Sequence, residues 1–251
     1  MKKTLFCDVE TTGLGPVKHG VVQIAMLMDI DGYVEDRLVV KCQPFLKDYI
    51  EYEKGMPSGE KGKETQWLNF AMDLNDEFEP KDYKTPTGIP IAEILTYPEP
   101  EEVFPRVIAF LDKWINKFDK QDKAYFGAYN AKFDHDFLQA WFVKNGSGFF
   151  GSYINHRLLD PLLFLYARDW QGLIFYPNYK LPTVCDIYGI ALEAHNPLSD
   201  IEATRELWYQ QTGSTNIKPC CVCGKRGDQR GPDRINWYCA LHYDIDVKGR
   251  Q

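Results

Sequence analysis

The pattern of apolar and polar positions opens on one short strand. Leu5-Phe6-Cys7-Asp8-Val9-Glu10 is apolar with two carboxylates set into it, and Thr11-Thr12-Gly13-Leu14 ends it in a turn. Side chains alternate faces along an extended strand, so Asp8 and Glu10 project from one side while Cys7 and Val9 enter the opposite layer. Gly20 to Ile30 is a second apolar run, and Asp31-Gly32 turns it back into Tyr33 to Lys41, which is a hairpin signature. The first three strands therefore read as an antiparallel meander with the acid-bearing strand first.

The stretch from about 43 to 100 is harder to pattern. Lys47 to Gln66 is charged and contains glycine, and its start reads as a mobile surface excursion, while Trp67 to Leu74 and Ile89 to Leu95 read as short helices. Past Glu101 the period becomes helical, with Val107, Phe110, Leu111, Trp114, Ile115 and Phe118 in one apolar stripe. Ala124 to Tyr129 is the next strand. Asn130 then opens a helix that buries Phe137, Leu138 and Trp141 and stops at Asn145-Gly146. Arg157-Leu158-Leu159 is a short strand entering a helix capped by Asp160, with Pro161 in its first position. Leu181 to Ile190 predicts another helix. The last one starts at Pro197 and runs to Gly213, with Ser199 and Glu202 spaced as a capping box and Asp200 in the first turn. Three hairpin strands followed by helices alternating with strands give an α/β fold with a mixed sheet.

Composition narrows this picture. The chain has 251 residues, 44% of them hydrophobic, which suits one globular domain with an appended module. No run of roughly 18 apolar residues and no signal peptide is evident, so no membrane association and a cytoplasmic, intracellular location are expected. Cys7, Cys42 and Cys185 read as core thiols. The net charge of −7 argues against coating nucleic acid by bulk electrostatics, although residues 218 to 250 hold seven bases against four acids. Acids partly neutralised by bound cations can still engage phosphates.

Two same-face acids repel each other, which raises at least one pKa unless a hard divalent ion takes their oxygens. Asp134 at a strand-to-helix opening, and Asp200 at a helix start with His195 five residues before it, have related settings. Taken singly, each has a bland explanation: Asp134 and Asp200 as helix N-terminal acids, and His195 as an ordinary loop histidine.

Taken together, the order and the local patterns resemble the DEDDh family of 3′-to-5′ exonucleases. The first motif is similar to Asp8-Val9-Glu10-Thr11-Thr12-Gly13-Leu14, the second to Asn130-Ala131-Lys132-Phe133-Asp134-His135-Asp136-Phe137-Leu138, and the third to His195-Asn196-Pro197-Leu198-Ser199-Asp200. The resemblance covers residues 4 to about 210. Asn196 stands where a sister branch carries tyrosine, so the histidine branch is the one matched, and Tyr129 stands where members commonly carry histidine. The resemblance implies a ribonuclease H-like mixed sheet flanked by helices over residues 1–213, and hydrolysis at the 3′ end of single-stranded DNA. It implies two Mg²⁺ or Mn²⁺ ions held by Asp8, Glu10, Asp134 and Asp200, with His195 as general base. It also implies that Thr11, Thr12, Gly13, Leu14 and Asn130 contact substrate, and that a polymerase or other replication partner is possible. The competing expectations are a 3′-to-5′ exoribonuclease acting on RNA or short oligonucleotides, and a non-catalytic scaffold of the same fold.

Residues 217–251 carry a different chemistry. Cys220 and Cys223 form a Cys-x2-Cys pair, and Cys239 and His242 a second pair after 15 intervening residues, which is the spacing of a closed structural Zn²⁺ site. A segment of this size has no core of its own, so the metal is what is expected to fold it.

Overall fold

The structure is a computed structural model that describes residues 1–54, 63–67, 83–85, 88–193 and 196–213, together with 218–219, 226–227, 229–230 and 237–238. The chain divides into two compact units, Met1–Trp208 and Tyr209–Gln251.

The first unit is built on a five-stranded mixed sheet in the order β3-β2-β1-β7-β8. The opening acid-bearing segment is its central strand, β1 (Lys3–Thr11), paired antiparallel to β2 (Val21–Ile30). Strand β3 (Tyr33–Lys41) completes the meander through a two-residue turn in which Asp31 and Gly32 both adopt positive φ, as the hairpin signature requires. On its other edge β1 pairs parallel with β7 (Ala124–Gly127), and β7 with β8 (Ile154–Leu159).

Helices cover both faces, which is what lets the middle strands be apolar almost throughout. On one side α2 (Pro100–Trp114) and α3 (Ala131–Lys144) bury Val107, Leu111, Phe137, Leu138 and Trp141 against Leu5, Cys7 and Val9. On the other side Ile201 of α7 (Pro197–Thr212) packs on Phe6, Ala25 and Leu27. The two faces of β1 thus divide as its alternation predicts. Helices α5 (Pro161–Trp170) and α6 (Leu181–Tyr188) join α7 through Leu165, Val184 and Leu207. Cys7, Cys42 and Cys185 are buried, and burial pushes the Cys42 thiol up to about 12 and the Cys185 thiol up to about 11. Among the described residues no helix is long and apolar enough to cross a membrane.

Several expectations need correction. The excursion after residue 43 is not plain surface loop, because β4 (Tyr49–Lys54), β5 (Lys63–Trp67) and β6 (Tyr83–Lys84) form a second, antiparallel sheet ordered β5-β4-β6. Trp67 therefore ends a strand, and residues 68–74, expected as a helix, lie outside the described residues. Of the second short helix, α1 (Ile91–Ile94) is present. Phe118 is 83% exposed and beyond the end of α2, since the backbone turns extended at Ile115 and breaks the stripe. The helix α4 (Phe150–Tyr153) leads directly into β8 and has no sequence periodicity to announce it.

In the second unit, β9 (Lys218–Pro219) pairs with β10 (Arg226–Gly227), and β11 (Gln229–Arg230) with β12 (Trp237–Tyr238), both antiparallel. The expected zinc ligands Cys220, Cys223, Cys239 and His242 lie outside the described residues.

Candidate active site

The site begins where the sheet comes apart. Pairing between β1 and β7 ends at Phe6 with Gly127, so β1 runs on from Cys7 to Thr11 bonded to β2 alone. The freed backbone edge needs a new partner, since a buried N–H without one is costly. Asp134 supplies it: its Oδ1 accepts the Val9 N–H at 3.0 Å, across 125 residues of sequence. Asp134 sits in the first turn of α3, which arrives from the strand-to-helix opening beside β7.

The other acids approach the same place. Asp8 and Glu10 share the parity of Phe6, whose face packs against α7, and α7 carries Asp200 in its first turn. Acids thus reach the open edge of β1 from both layers. Asp8 is pushed well above the usual carboxylate range, by burial first and then by the negative charges of Asp134, Glu10 and Asp200. Asp134 is raised too, chiefly by burial, although its hydrogen bond from Val9 works in the other direction. Glu10 and Asp134 are buried, while Asp8 and Asp200 are half-buried. The ladder to β2 slips after Glu10, so that Glu10 faces Gln23 but Thr11 faces Val21; such bulges sit often beside sites and re-aim side chains.

Among the described residues no three His, Cys, Asp or Glu side chains form a ready-made metal cage. The donor set nonetheless fits a hard divalent ion. It consists of carboxylate oxygens, and the strongest influences on Asp8 are burial and other acids, which a bound cation would offset.

The chain after β1 is braced rather than loose. Thr12 is fully buried, and its hydroxyl accepts from Gly20 N at 2.9 Å and donates to Tyr49 O at 2.5 Å. Thr11 Oγ1 donates to Gly13 O at 2.8 Å. Gly13 lies against the His19 ring so closely that a Cβ would fall 2.4 Å from His19 Cδ2, which explains the glycine there. Both threonine hydroxyls thus serve the loop itself, and the apolar side chains it offers outward are Leu14, 66% exposed, and Val17, 85% exposed.

Asn130 is exposed, holds a left-handed φ of 67° and makes no side-chain capping bond. Tyr129 is half-buried, and its hydroxyl donates to Tyr179 O at 2.5 Å. The start of α7 is capped by Asn196, whose Oδ1 accepts from Leu198 N at 3.2 Å and Ser199 N at 3.4 Å. This corrects the expected capping box, because Ser199 Oγ accepts instead from Glu193 N and Glu202 pairs with Arg37. His195 lies outside the described residues.

Asp160 has a second role beyond the cap that Asp-Pro predicts. Asp160 caps α5 as expected, accepting from Leu162 N at 2.9 Å, but it also accepts from Asn130 N at 3.1 Å and Ala131 N at 3.0 Å at the start of α3. A local cap is visible as Asp-Pro in sequence. Its service to a second helix 30 residues away is not.

Comparison with known proteins places the fold. No protein-family model and no curated protein matches the chain by sequence. Solved structures do match by shape. They include exonuclease I, in a structure said to suggest how processivity is achieved, at a TM-score of 0.56 and 17% identity, covering 86% of this chain and 42% of that one. E. coli exonuclease I in complex with a dA16 oligonucleotide gives 0.56 and 18%, over 86% of this chain and 41% of that one. An ExoI/SSB-Ct complex gives 0.54 and 16%, over 85% and 42%. The chain spans less than half the length of the exonuclease I chains it matches, and what it shares with them at this identity is the fold.

Proposed function

We propose that this chain is a 3′-to-5′ exonuclease that releases nucleoside monophosphates from single-stranded DNA with the help of two divalent cations. The observation that carries the reading is that Asp134 accepts the Val9 N–H between Asp8 and Glu10, where β1 has lost β7, while α7 with Asp200 in its first turn packs on the sheet face that Asp8 and Glu10 share. Asp8, which feels all three of the others, would be the shared ligand; Glu10 and Asp200 would hold one ion and Asp134 would act on the other. Bound there, such ions would acidify the attacking water and neutralise charge developing on the leaving 3′ oxygen.

The remaining work falls to the chain. His195 is the general base in this reading, since a neutral imidazole near pH 7 can accept the proton of the attacking water. Backbone groups of Thr11, Thr12 and Gly13, fixed by the threonine hydroxyl bonds, would receive the terminal sugar, and exposed Leu14 would lie against its base. Asn130, exposed at the mouth of α3, would contact the strand. A splayed single strand is needed because the acids stand on rigid elements and cannot follow a phosphate into a paired end. The choice of DNA is supported by the neighbouring fold, exonuclease I being seen with dT13 and dA16 oligonucleotides, and its SSB-Ct complex supports a replication partner. At the C-terminus, Cys220, Cys223, Cys239 and His242 would hold a structural Zn²⁺, which the zinc content of the purified protein and of Cys223→Ser measures.

The test is a panel of end-labelled single-stranded DNA, RNA and mismatched duplex, each with Mg²⁺, Mn²⁺ or a chelator. Release of mononucleotides from single-stranded DNA in the presence of metal is expected. Activity that survives the chelator would sink the metal assignment, faster RNA cleavage would move the substrate class, and no release from any substrate would leave a scaffold.

A further inference from the structure

We infer that Asp160 is a positioning residue that seats Asp134 against β1, an inference that rests on the exonuclease reading for its link to activity. One buried carboxylate here holds the beginnings of two helices: Leu162 N of α5 and both Asn130 N and Ala131 N at the start of α3. The first N–H groups of a helix have no partner inside it. In α3 the side chain at the capping position does not help, because Asn130 is left-handed and only its carbonyl serves the helix, accepting from Phe133 N at 2.9 Å. The start of α3 is therefore tied down from outside, by Asp160.

That tie reaches the site in three residues. Asp134 lies in the same first turn as Ala131, and its Oδ1 is the acceptor for Val9 N where the β1–β7 ladder has already ended. Asp160 is itself fixed at the end of β8, whose neighbour Leu159 pairs with Gly127 and accepts from Ala128 N at 3.2 Å. Constraint therefore passes from the sheet through Asp160 to the first turn of α3 and so to Asp134. A displaced first turn would move the carboxylate off Val9 without unfolding α3, whose far side is anchored by Phe137, Leu138 and Trp141. Supporting partners of this kind typically matter about 10- to 100-fold in metal affinity or activity.

The test uses the full chain with Asp160→Ala, Asp160→Asn and, as a control, Asp122→Ala. The control removes an acid that pairs with Lys3 and accepts from Asn116 N at the opposite end of β1. Two readouts are taken on folded protein: hydrogen exchange of the Val9 amide, which needs no metal, and Mn²⁺ affinity by calorimetry, with kcat and KM alongside. For Asp160→Ala we expect loss of Val9 protection, Mn²⁺ binding weaker by about ten-fold or more, and a fall in kcat at little-changed KM. Asp160→Asn keeps one acceptor oxygen and should fall between, which also serves if the alanine variant does not fold. Asp122→Ala should lower melting temperature alone. Unchanged Val9 protection in both Asp160 variants would overturn the inference. Lost protection in a chain whose parent binds no Mn²⁺ would uphold the positioning and sink the metal reading instead.

Discussion

Helix α7 meets two acids of the sheet, Asp29 and Asp8, in opposite ways. Asp29, on β2, is buried and meets a fixed cation: Arg205 Nε donates to its Oδ2 at 2.6 Å, Gly32 N donates to its Oδ1 at 2.7 Å, and Arg205 also reaches Gly32 O. About one turn earlier, the same helix contributes not a base but Asp200, which acts on Asp8 together with Glu10 and Asp134. At the first place the fold brings its own positive charge and closes a turn. At the second it gathers negative charge where β1 has lost a neighbour. On the exonuclease reading proposed above, the contrast separates an acid kept for structure from acids whose charge would be left for a bound cation.

Substitutions should break the two places differently. Asp134→Asn keeps an acceptor for Val9 but removes a charge from the site, and turnover should fall by several kcal/mol of barrier, more than about 10³-fold, with folding intact. Single-turnover kinetics beside circular dichroism would check both halves. Arg205→Leu should do the reverse, leaving Asp29 without its cation and costing about 3–5 kcal/mol of stability in urea unfolding, the usual loss when one partner of a buried pair is removed. Adding Asp29→Asn should recover part of it.

A smaller effect follows from proton binding. Asp8 and Asp134 hold protons more tightly folded than unfolded. Their contribution is fully present below the unfolded aspartate pKa of about 3.9 and is lost as pH rises through the higher folded values. The melting temperature of metal-stripped protein should therefore drop as pH rises above about 4, and Asp8→Asn should flatten the drop. Mg²⁺ should restore stability most at the higher pH, by about 2.7 kcal/mol at a hundred times its Kd. The smallest effect belongs to Leu14→Ala, which should leave stability within about 0.5 kcal/mol because the side chain is exposed, while raising KM for single-stranded substrate.

What was legible in the chain was local or periodic. The β1 alternation, the Asp31-Gly32 turn, the stripe of α3 and the Asp160-Pro161 cap all follow from patterns a few residues long, and each has its counterpart in the fold. The three motifs point to Asp8, Glu10, Asp134 and Asp200, and the negative charges of the last three each raise Asp8. Pairings across the chain left no such mark. Arg205 with Asp29, Asp160 with Ala131, and the β4–β5 ladder are chosen by tertiary packing, and the charged composition of 47–66 hid strands that pair with each other. The α7 cap lies three residues before the Ser199 that the pattern favours, because Ser199 and Asn196 are both good caps and only the geometry shows which oxygen faces the helix.

The most direct measurement of the central claim is Mn²⁺ binding to metal-stripped protein, compared between the parent chain and Asp8→Asn. If the four carboxylates form a two-ion site, the parent binds two more Mn²⁺ per chain than the variant can hold tightly, and these same ions raise its melting temperature. Equal Mn²⁺ binding by parent and variant would contradict the account.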